Sequence, residues 1–404
     1  MNSTTSNSVD IAIVGAGVVG LCAGLLLARA GFKISIIDPF NVIPTLPEAY
    51  DLKTYALTPA SMRMFKRLSV AVELEKQRIC EFHGMQVWDA GSRGAIEFSA
   101  QALGRDSLGS IVEHANLVRA LRLAIGQCEQ IRQVSDRVVD IEFTDRLNIL
   151  NLERGAPIHA ELVLGCDGPN SPVRQLLGVD TRRVEYVQHA LVCNVEVQYP
   201  HAQIARQRFL PNGPIAFLPL AAKNSCAVVW STSPEEALVA LEAPSESFEG
   251  MLVAAFDYRL GNVRLTSERK VIPLQKLHSA RYVVNRAILL GDAAHVVHPL
   301  AGQGLNLGLM DAAALAQSLG QREKLTLQFP RAALRQFERM RRGENLAMLS
   351  FTDQINKIFR RDHRLIKGVR GTGMYAFDRL IPLKHWIMLR AMGDYGDVPS
   401  IASR

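Results

Sequence analysis

A chain of 404 residues, 48% apolar and 21% charged, is too long for one simple core and fits two domains or one domain with a large insert. Its formal net charge of +7 suits anionic ligands or surfaces, but no Lys/Arg run is interleaved with aromatics, so nucleic acid is not an expected partner. The six cysteines, at positions 22, 80, 128, 166, 193 and 226, form no CxxC pair, which argues against a zinc site or a disulfide framework and fits reduced thiols in a cytoplasmic protein.

The polar opening Met1–Asp10 has no cationic n-region, and no stretch of spanning length is free of charge. Neither a signal peptide nor a membrane-crossing helix is expected, so any membrane contact is peripheral, at the inner face. Asp10–Val14 is rich in β-branched residues and reads as a buried parallel strand. Val18–Ala30 reads as a small-residue helix ended by Gly31, and Lys33–Ile37 as a second strand closed by Asp38 and Pro39. Together these make a βαβ unit. Ala60–Leu68 reads as a helix, Gly84–Ser99 as a β-ribbon and Asn116–Ile125 as a helix. Arg137–Phe143, Leu147–Leu152 and Leu162–Cys166 read as strands.

From about Tyr186 to Pro273 strand-like runs follow one another: His189–Val197, Gln207–Leu210, Ile215–Leu218, Cys226–Ser231 and Lys270–Leu274. One helical piece, Phe248–Arg259, interrupts them. This is the pattern of a mostly antiparallel sheet inserted into an α/β domain. Ala287–Leu290 returns as a buried strand, a helix runs from after Gly304 to about Leu319, and the chain from Phe329 onward reads as helical.

Chemistry first shows at Gly15-Ala16-Gly17-Val18-Val19-Gly20. Gly15 allows the turn out of the strand, Gly17 lets the backbone approach a pyrophosphate, and Gly20 lets helix and strand pack closely. The helix start offers N–H groups and a positive dipole end. Asp38, at the end of the next strand, is placed for a ribose hydroxyl. A second motif, Leu289-Leu290-Gly291-Asp292-Ala293-Ala294-His295, sets an acid just beyond a buried strand, far along the chain. That carboxylate suits a polyol hydroxyl, which a flavin's ribityl chain supplies and a nicotinamide dinucleotide does not. The third runs from His298-Pro299-Leu300-Ala301 through Gly302-Gln303-Gly304-Leu305-Asn306 to Gly308. Its glycines leave main-chain N–H groups accessible at a helix start, which favours the negative charge of a reduced flavin. The fourth is Asp167-Gly168 with Arg174, an anion partner suited to a pyrophosphate. His295 and His298 read as structural residues rather than a metal or acid/base pair. No metal site is expected, and no residue is singled out as catalytic.

The series GxGxxG, DGxxSxVR and GDAAHxxHPLAGQGLNLGxxD resembles the class A flavin monooxygenases of para-hydroxybenzoate hydroxylase fold. The string from Gly291 to Asp311 is similar to the ubiquinone-biosynthesis hydroxylases of UbiH/UbiF/UbiI type, as are Ala56–Ser61, Leu108–Glu113 and Gly213–Pro219. The resemblance implies an α/β fold with a discontinuous FAD-binding domain (1–75, 104–182 and 276–345). An inserted, mostly antiparallel substrate domain (76–103 and 183–275) and a helical C-terminal region (346–404) complete it. Gly15, Gly17, Gly20 and Asp38 would hold the ADP half of FAD, Asp292 the ribityl chain, and Pro299 to Asn306 the isoalloxazine. Asp167, Gly168 and Arg174 would lie near the pyrophosphate and serve a nicotinamide donor. Lys53 departs from the family's usual flavin-contacting Arg, keeping the charge but losing the planar fork.

The implied reaction is hydroxylation of a polyprenylated phenol with O2 through a flavin C4a-hydroperoxide, NAD(P)H being the electron donor. The chemistry belongs to the cofactor, which is why no Ser/His/Asp constellation is needed. The alternatives are another flavin oxidoreductase of this fold and a non-catalytic flavin-binding subunit of a quinone-biosynthesis complex. A halogenase is disfavoured, because no WxWxIP-type segment occurs. Quinone-biosynthesis subunits and a second copy of the chain are further candidate partners. Phe351–Leu389 mixes apolar residues such as Phe359 and Trp386 with Lys357, Arg379 and Lys384. It is expected to be an anionic-lipid contact, or else a helical cap or oligomer interface.

Overall fold

The computed structural model describes residues 7–144, 147–322, 331–360 and 364–404. The strand Ser8–Val14 pairs in parallel with Ile34–Ile37 on one side and Ile158–Gly165 on the other. Ile131–Val134 and Ala287–Leu289 extend that parallel set at its two ends. Val138–Phe143 and Asn148–Leu152 add an antiparallel flap to the start of Ile158–Gly165. All four strand residues Ile34–Ile37 are buried, as a strand covered on both faces requires.

The helix Val18–Arg29 buries ten of its residues against this sheet. Its seat depends on missing side chains. A Cβ on Gly20 would lie 2.0 Å from the Gly15 carbonyl oxygen, and one on Gly15 would lie 2.5 Å from the Cys166 carbonyl oxygen. Gly15 also has φ +104°, a conformation that L side chains avoid. The helix Gln303–Leu319 crosses Val18–Arg29 at a second close approach: a Cβ on Gly308 would meet Val19 at 2.8 Å and the Gly291 Cα at 3.0 Å.

The second sheet has nine strands. The long strand Thr181–Val197 pairs antiparallel with Lys270–Ser279 and with Ser225–Thr232. Gly213–Pro219, Ile204–Leu210 and the hairpin Gly84–Asp89/Ala95–Ser99 follow outward, with Ile204–Leu210 and Gly84–Asp89 parallel. The pairing of Thr181–Val197 with Lys270–Ser279 shifts register between Glu185 and His189, a bulge that carries Tyr186 and Gln188 out of the ladder. Phe217, Phe248, Phe256 and Leu252 centre the core beneath this sheet. A small sheet of Thr54–Leu57, Gly109–Glu113 and Ile79–Phe82 joins the two halves. The architecture is the α/β fold with an inserted antiparallel sheet that the sequence implies.

Several elements differ from the sequence reading. The small three-stranded sheet, the strand Ile131–Val134 and the helix Pro234–Glu242 were not expected. The small sheet straddles residue 76, where the substrate domain was expected to begin. Thr181–Val197 and Lys270–Ser279 run well beyond the expected His189–Val197 and Lys270–Leu274. The tail forms three helices, Arg331–Arg360, Arg364–Arg379 and Ile381–Ala391; the expected helix start at Phe329 lies outside the described residues.

Gly20→Ala is expected to force Val18–Arg29 off the sheet and lower stability by about 1–3 kcal/mol or more. Gly126→Ala, at the last turn of the helix His114–Gly126 where a Cβ meets nothing within 4 Å, is expected to leave stability unchanged or slightly raised. Thermal unfolding of the two variants side by side checks the pair.

Candidate functional site

A cleft of about 350 Å³ opens at the carboxyl end of the first two parallel strands, lined by Ala16, Gly17, Asp38, Phe40, His114 and Arg122 among others. Crevices at this place in an α/β sheet are where nucleotides bind. Gly17 differs from its two partners in the motif. It is exposed, has an ordinary φ of −72°, and a Cβ there would touch nothing within 4 Å. Nothing in the protein itself requires glycine at 17, and no side chain caps the helix start there. A ligand that comes against the backbone and takes up the helix N–H groups accounts for both features.

Asp38 lines the cleft with one oxygen accepting from the Ala16 N–H at 2.7 Å and the other from Phe40 N–H at 2.8 Å. Arg122 reaches in from the helix His114–Gly126 and is fixed on the Phe40 carbonyl at 2.6 Å. His114 continues the wall. Its Nδ1 lies 3.0 Å from the Tyr55 hydroxyl, and burial, reinforced by the Lys53 charge, lowers its pKa to about 4. The Tyr55 hydroxyl is pushed up by burial and then by the charges of Asp292 and Asp51. These residues therefore lead from the cleft to the second motif.

Lys53 is held by its backbone: its N–H donates to Asp51 at 3.0 Å, and its carbonyl accepts from His114 N–H at 2.8 Å. Asp51 is fixed in turn by Ala115 N–H and by Glu113, which Arg78 grips through two nitrogens. The Lys53 ammonium stands over the Tyr55 ring at 5.7 Å. Asp292 is open to the groove but walled by protein. That crowding raises its carboxyl, while His295 and Lys53 pull the other way.

The turn carrying Asp292 is pinned from below. Asp311, fully buried, accepts from Gly291 N–H at 3.3 Å, His295 Nε2 at 2.5 Å, Arg341 Nε at 2.8 Å and Asn345 Nδ2 at 3.0 Å. Burial alone would raise this carboxyl, but His295 and Arg341 outweigh it and hold the group well below the usual carboxylate range. Asp311 closes the quoted motif, yet it carried no expected role. Arg341 and Asn345 sit in an amphipathic helix and carried none either. The helix that carries Gly308-x-x-Asp311 is buried around Asp311, and there a carboxylate must find partners.

The third motif surrounds a helix start. Gly302 caps Gln303–Leu319 in the left-handed region, φ +61°, with no side-chain cap. Pro299, Gln303, Gly304 and Leu305 are at least partly open. For Asn306, expected among the residues around the isoalloxazine, the side chain is corrected to a structural role. It is buried, accepts from Thr58 N–H at 3.0 Å and Ser61 Oγ at 2.8 Å, and donates to the Ala56 carbonyl at 2.8 Å. It fastens the small sheet to the helix start. Arg174 is also corrected. Rather than facing a pyrophosphate or a nicotinamide, its buried guanidinium donates to the carbonyls of Ala293 and Pro169 at 2.8 Å each. It braces the Asp292 turn. Asp167 caps the short helix behind it through Val173 N–H at 2.9 Å, and Gly168 turns with φ +86°. His295 and His298 are each held through one ring nitrogen, and the other nitrogen of each, His295 Nδ1 and His298 Nε2, is buried without a partner among the described residues. His298 Nδ1 accepts from Leu300 N–H at 3.3 Å, and its ring stands edge-on to Tyr186.

Comparison with known proteins gives three results. The model of the family described as FAD binding domain matches residues 8–343. The chain is 34% identical to the ubiquinone hydroxylase UbiL of Rhodospirillum rubrum over 95% of this chain and 89% of that protein. It is 30% identical to the 3-demethoxyubiquinol 3-hydroxylase of Escherichia coli over 96% and 100% respectively. Among solved structures, p-nitrophenol 4-monooxygenase from Pseudomonas putida superposes with a TM-score of 0.76 at 18% identity, covering 96% of this chain and 98% of that one, and shows the same fold.

His298 supplies a pH test. Burial lowers its pKa from 6.5 to about 4, with Arg360 adding to the effect and Asp353 opposing it. Between those values the unfolded chain binds the proton and the folded chain does not, so stability falls as pH falls from about 6.5 to about 4. Urea midpoints across that range are expected to show this loss, and His298→Phe to remove about 1.4 kcal/mol per pH unit from its slope.

Proposed function

The chain belongs to the family of the FAD binding domain, and from that premise we propose that it is an FAD-dependent monooxygenase hydroxylating the ring of a polyprenylated phenol or benzoquinol in ubiquinone biosynthesis. The observation that carries this reading is similarity, along nearly the whole chain, to two quinone-ring hydroxylases at 34% and 30% identity. Bound FAD, reduced by NAD(P)H, supplies the activation of O2 that puts one oxygen atom on the ring.

The residues of this chain fit that cofactor. Gly17 leaves room for a pyrophosphate at the start of Val18–Arg29, with Gly15, Ala16, Val18, Val19 and Gly20 shaping the turn. Asp38 and Arg122 stand at the cleft that suits the adenosine half. Asp292 offers its carboxylate to the ribityl hydroxyls, its turn fixed by Asp311 from below and by Arg174 from behind. The uncapped helix start at Gly302–Gly304 favours the negative charge of the reduced ring system. Lys53 brings one further positive charge to the same side. The protein's part is to bind, orient and exclude water; the substrate ring is expected between the helix start and the antiparallel sheet.

Two measurements test this. With isotopically heavy dioxygen, NADPH and a short-chain prenylated phenol, the purified protein is expected to place one heavy oxygen on the ring, read by mass spectrometry. NADPH consumption that yields only peroxide would instead support a non-catalytic flavin subunit. Asp292→Ala and Gly17→Ala are each expected to weaken FAD binding at least tenfold while leaving the melting temperature of the flavin-free protein unchanged, because a Cβ at 17 meets nothing within 4 Å and the Asp292 turn is held by Asp311 and Arg174 rather than by the Asp292 carboxylate. Full flavin retention in both would overturn the placement of FAD.

A further inference from the structure

The two C-terminal helices have opposite faces with different jobs. On Arg364–Arg379 the inward face is fixed. Arg370 pairs with buried Asp89 at 2.9 Å and Met374 enters the cluster formed by Val87, Phe209 and Leu300. Backbone also approaches closely here, since a Cβ on Gly371 would lie 2.8 Å from Ser92 Cβ. The outward face is a different composition. Val369, Gly373, Ala376 and Leu380 recur at three- and four-residue spacing, lie on one side of the helix, and are all exposed, Val369 at 75%. No charged side chain interrupts this stripe.

Ile381–Ala391, which packs on that helix, has an exposed side of its own. Leu383, Trp386 and Arg390 share its exposed side, with Arg390 over the Trp386 ring at 5.6 Å and Tyr395 edge-on to that ring. Arg379 stands beside the first stripe over Tyr375 at 4.1 Å. Residues 364–391 carry six Lys/Arg and a single acid, Asp378, which is neutralised by Lys384 at 2.9 Å; Arg370 is turned inward onto Asp89, while Arg379 and Arg390 are exposed. Exposed aliphatic residues, aromatic rings and unopposed guanidinium groups on one face are the chemistry of an anionic lipid surface. A face meant for a protein partner of mixed charge would not need the acids removed.

We propose that the outward face of residues 369–390 docks this protein on an anionic bilayer. The proposal rests on the functional reading in one respect: a polyprenylated ring is insoluble and must be collected from lipid. The placement strengthens the link. The helix whose outer stripe would meet the bilayer also sends Met374 into the apolar cluster that includes Leu300, on the turn beside the proposed ring site. An apolar tail drawn from the bilayer would thus remain among apolar side chains on its way in.

The test is flotation of the full-length holoprotein with vesicles of phosphatidylcholine alone and of phosphatidylcholine with phosphatidylglycerol. Melting temperature, flavin content and turnover of a water-soluble short-chain phenol are measured on the same samples. Flotation is expected only with the anionic vesicles, to weaken with salt, and to be lost in Leu383→Glu/Trp386→Glu and in Val369→Glu, with the other three properties unchanged. Active protein that does not float, or variants that float like wild type, would overturn the docking face and leave the functional reading standing. A wild-type dimer in light scattering that the same variants dissociate would assign the face to a second copy and overturn it likewise. Flotation without turnover of the soluble phenol would instead count against the functional reading alone.

Discussion

Asp311 ties together three parts of the chain. Gly291 and His295 belong to the Asp292 turn, Asp311 itself to Gln303–Leu319, and Arg341 and Asn345 to the long helix Arg331–Arg360. A carboxylate without solvent is tolerable only when its lone pairs are filled and its charge is met. Here both conditions hold, and each partner is spent in meeting them. Arg341 also reaches the Leu307 carbonyl, and Asn345 reaches the Tyr282 hydroxyl, so the network extends into the strand Lys270–Ser279 through His278. Moving the Asp292 turn would strip a donor from a buried charge. The position of the residue assigned to the ribityl chain is therefore set by electrostatics below it rather than by its own contacts.

The glycines do the complementary work. Gly15, Gly20 and Gly308 lie at points where backbone meets backbone, or nearly so, with no room for a Cβ, and Gly291 turns with φ +58° against the Val19 side chain. They bring Val18–Arg29, Gln303–Leu319 and the Asp292 turn to one place, although some 270 residues separate the two motifs. Gly17 belongs to the same string but sits where protein makes no demand. The contrast separates the glycines that build the site from the one that leaves space in it.

Local chemistry made much of this legible. A glycine string after a strand and an acid after the next one have consequences within a few residues, so Gly15 to Asp38 could be read directly. So could the large antiparallel sheet, from its alternating runs. What escaped depended on distant partners. Thr54–Leu57 and Ile131–Val134 are four-residue strands, too short to show a period, and exist because a neighbour pairs with them. Arg174 reads as an anion partner and Arg341 carries no reading until the carbonyls and the carboxylate they reach are known. Pro234–Glu242 had a usable signal: Ser233 accepts from Glu236 N–H at 3.2 Å, the side-chain cap of a Ser-Pro-Glu-Glu start.

The C-terminal segment ties these parts together. After Ile381–Ala391 the chain turns back, and Met392 and Gly393 press on Ala60 while Ala402 enters the main core. Asp394, almost without exposure, is met by Arg63, Arg105 and Arg404. Gln303, at the helix start assigned to the flavin ring, reaches toward the Ala391 carbonyl at 3.5 Å. The outer helices are thus anchored on both sides of Gly302: by the cluster that Met374 shares with Leu300, and at Gln303 through Ala391. A load applied to their outward face, from a bilayer or from anything else that covers it, would be borne by the turn that shapes the reaction site. That arrangement explains why so basic and apolar a segment is fastened by a buried ion pair at Arg370 and a cluster of arginines at Asp394. A surface that took up substrate, as proposed, would have to hold its register with the site that used it.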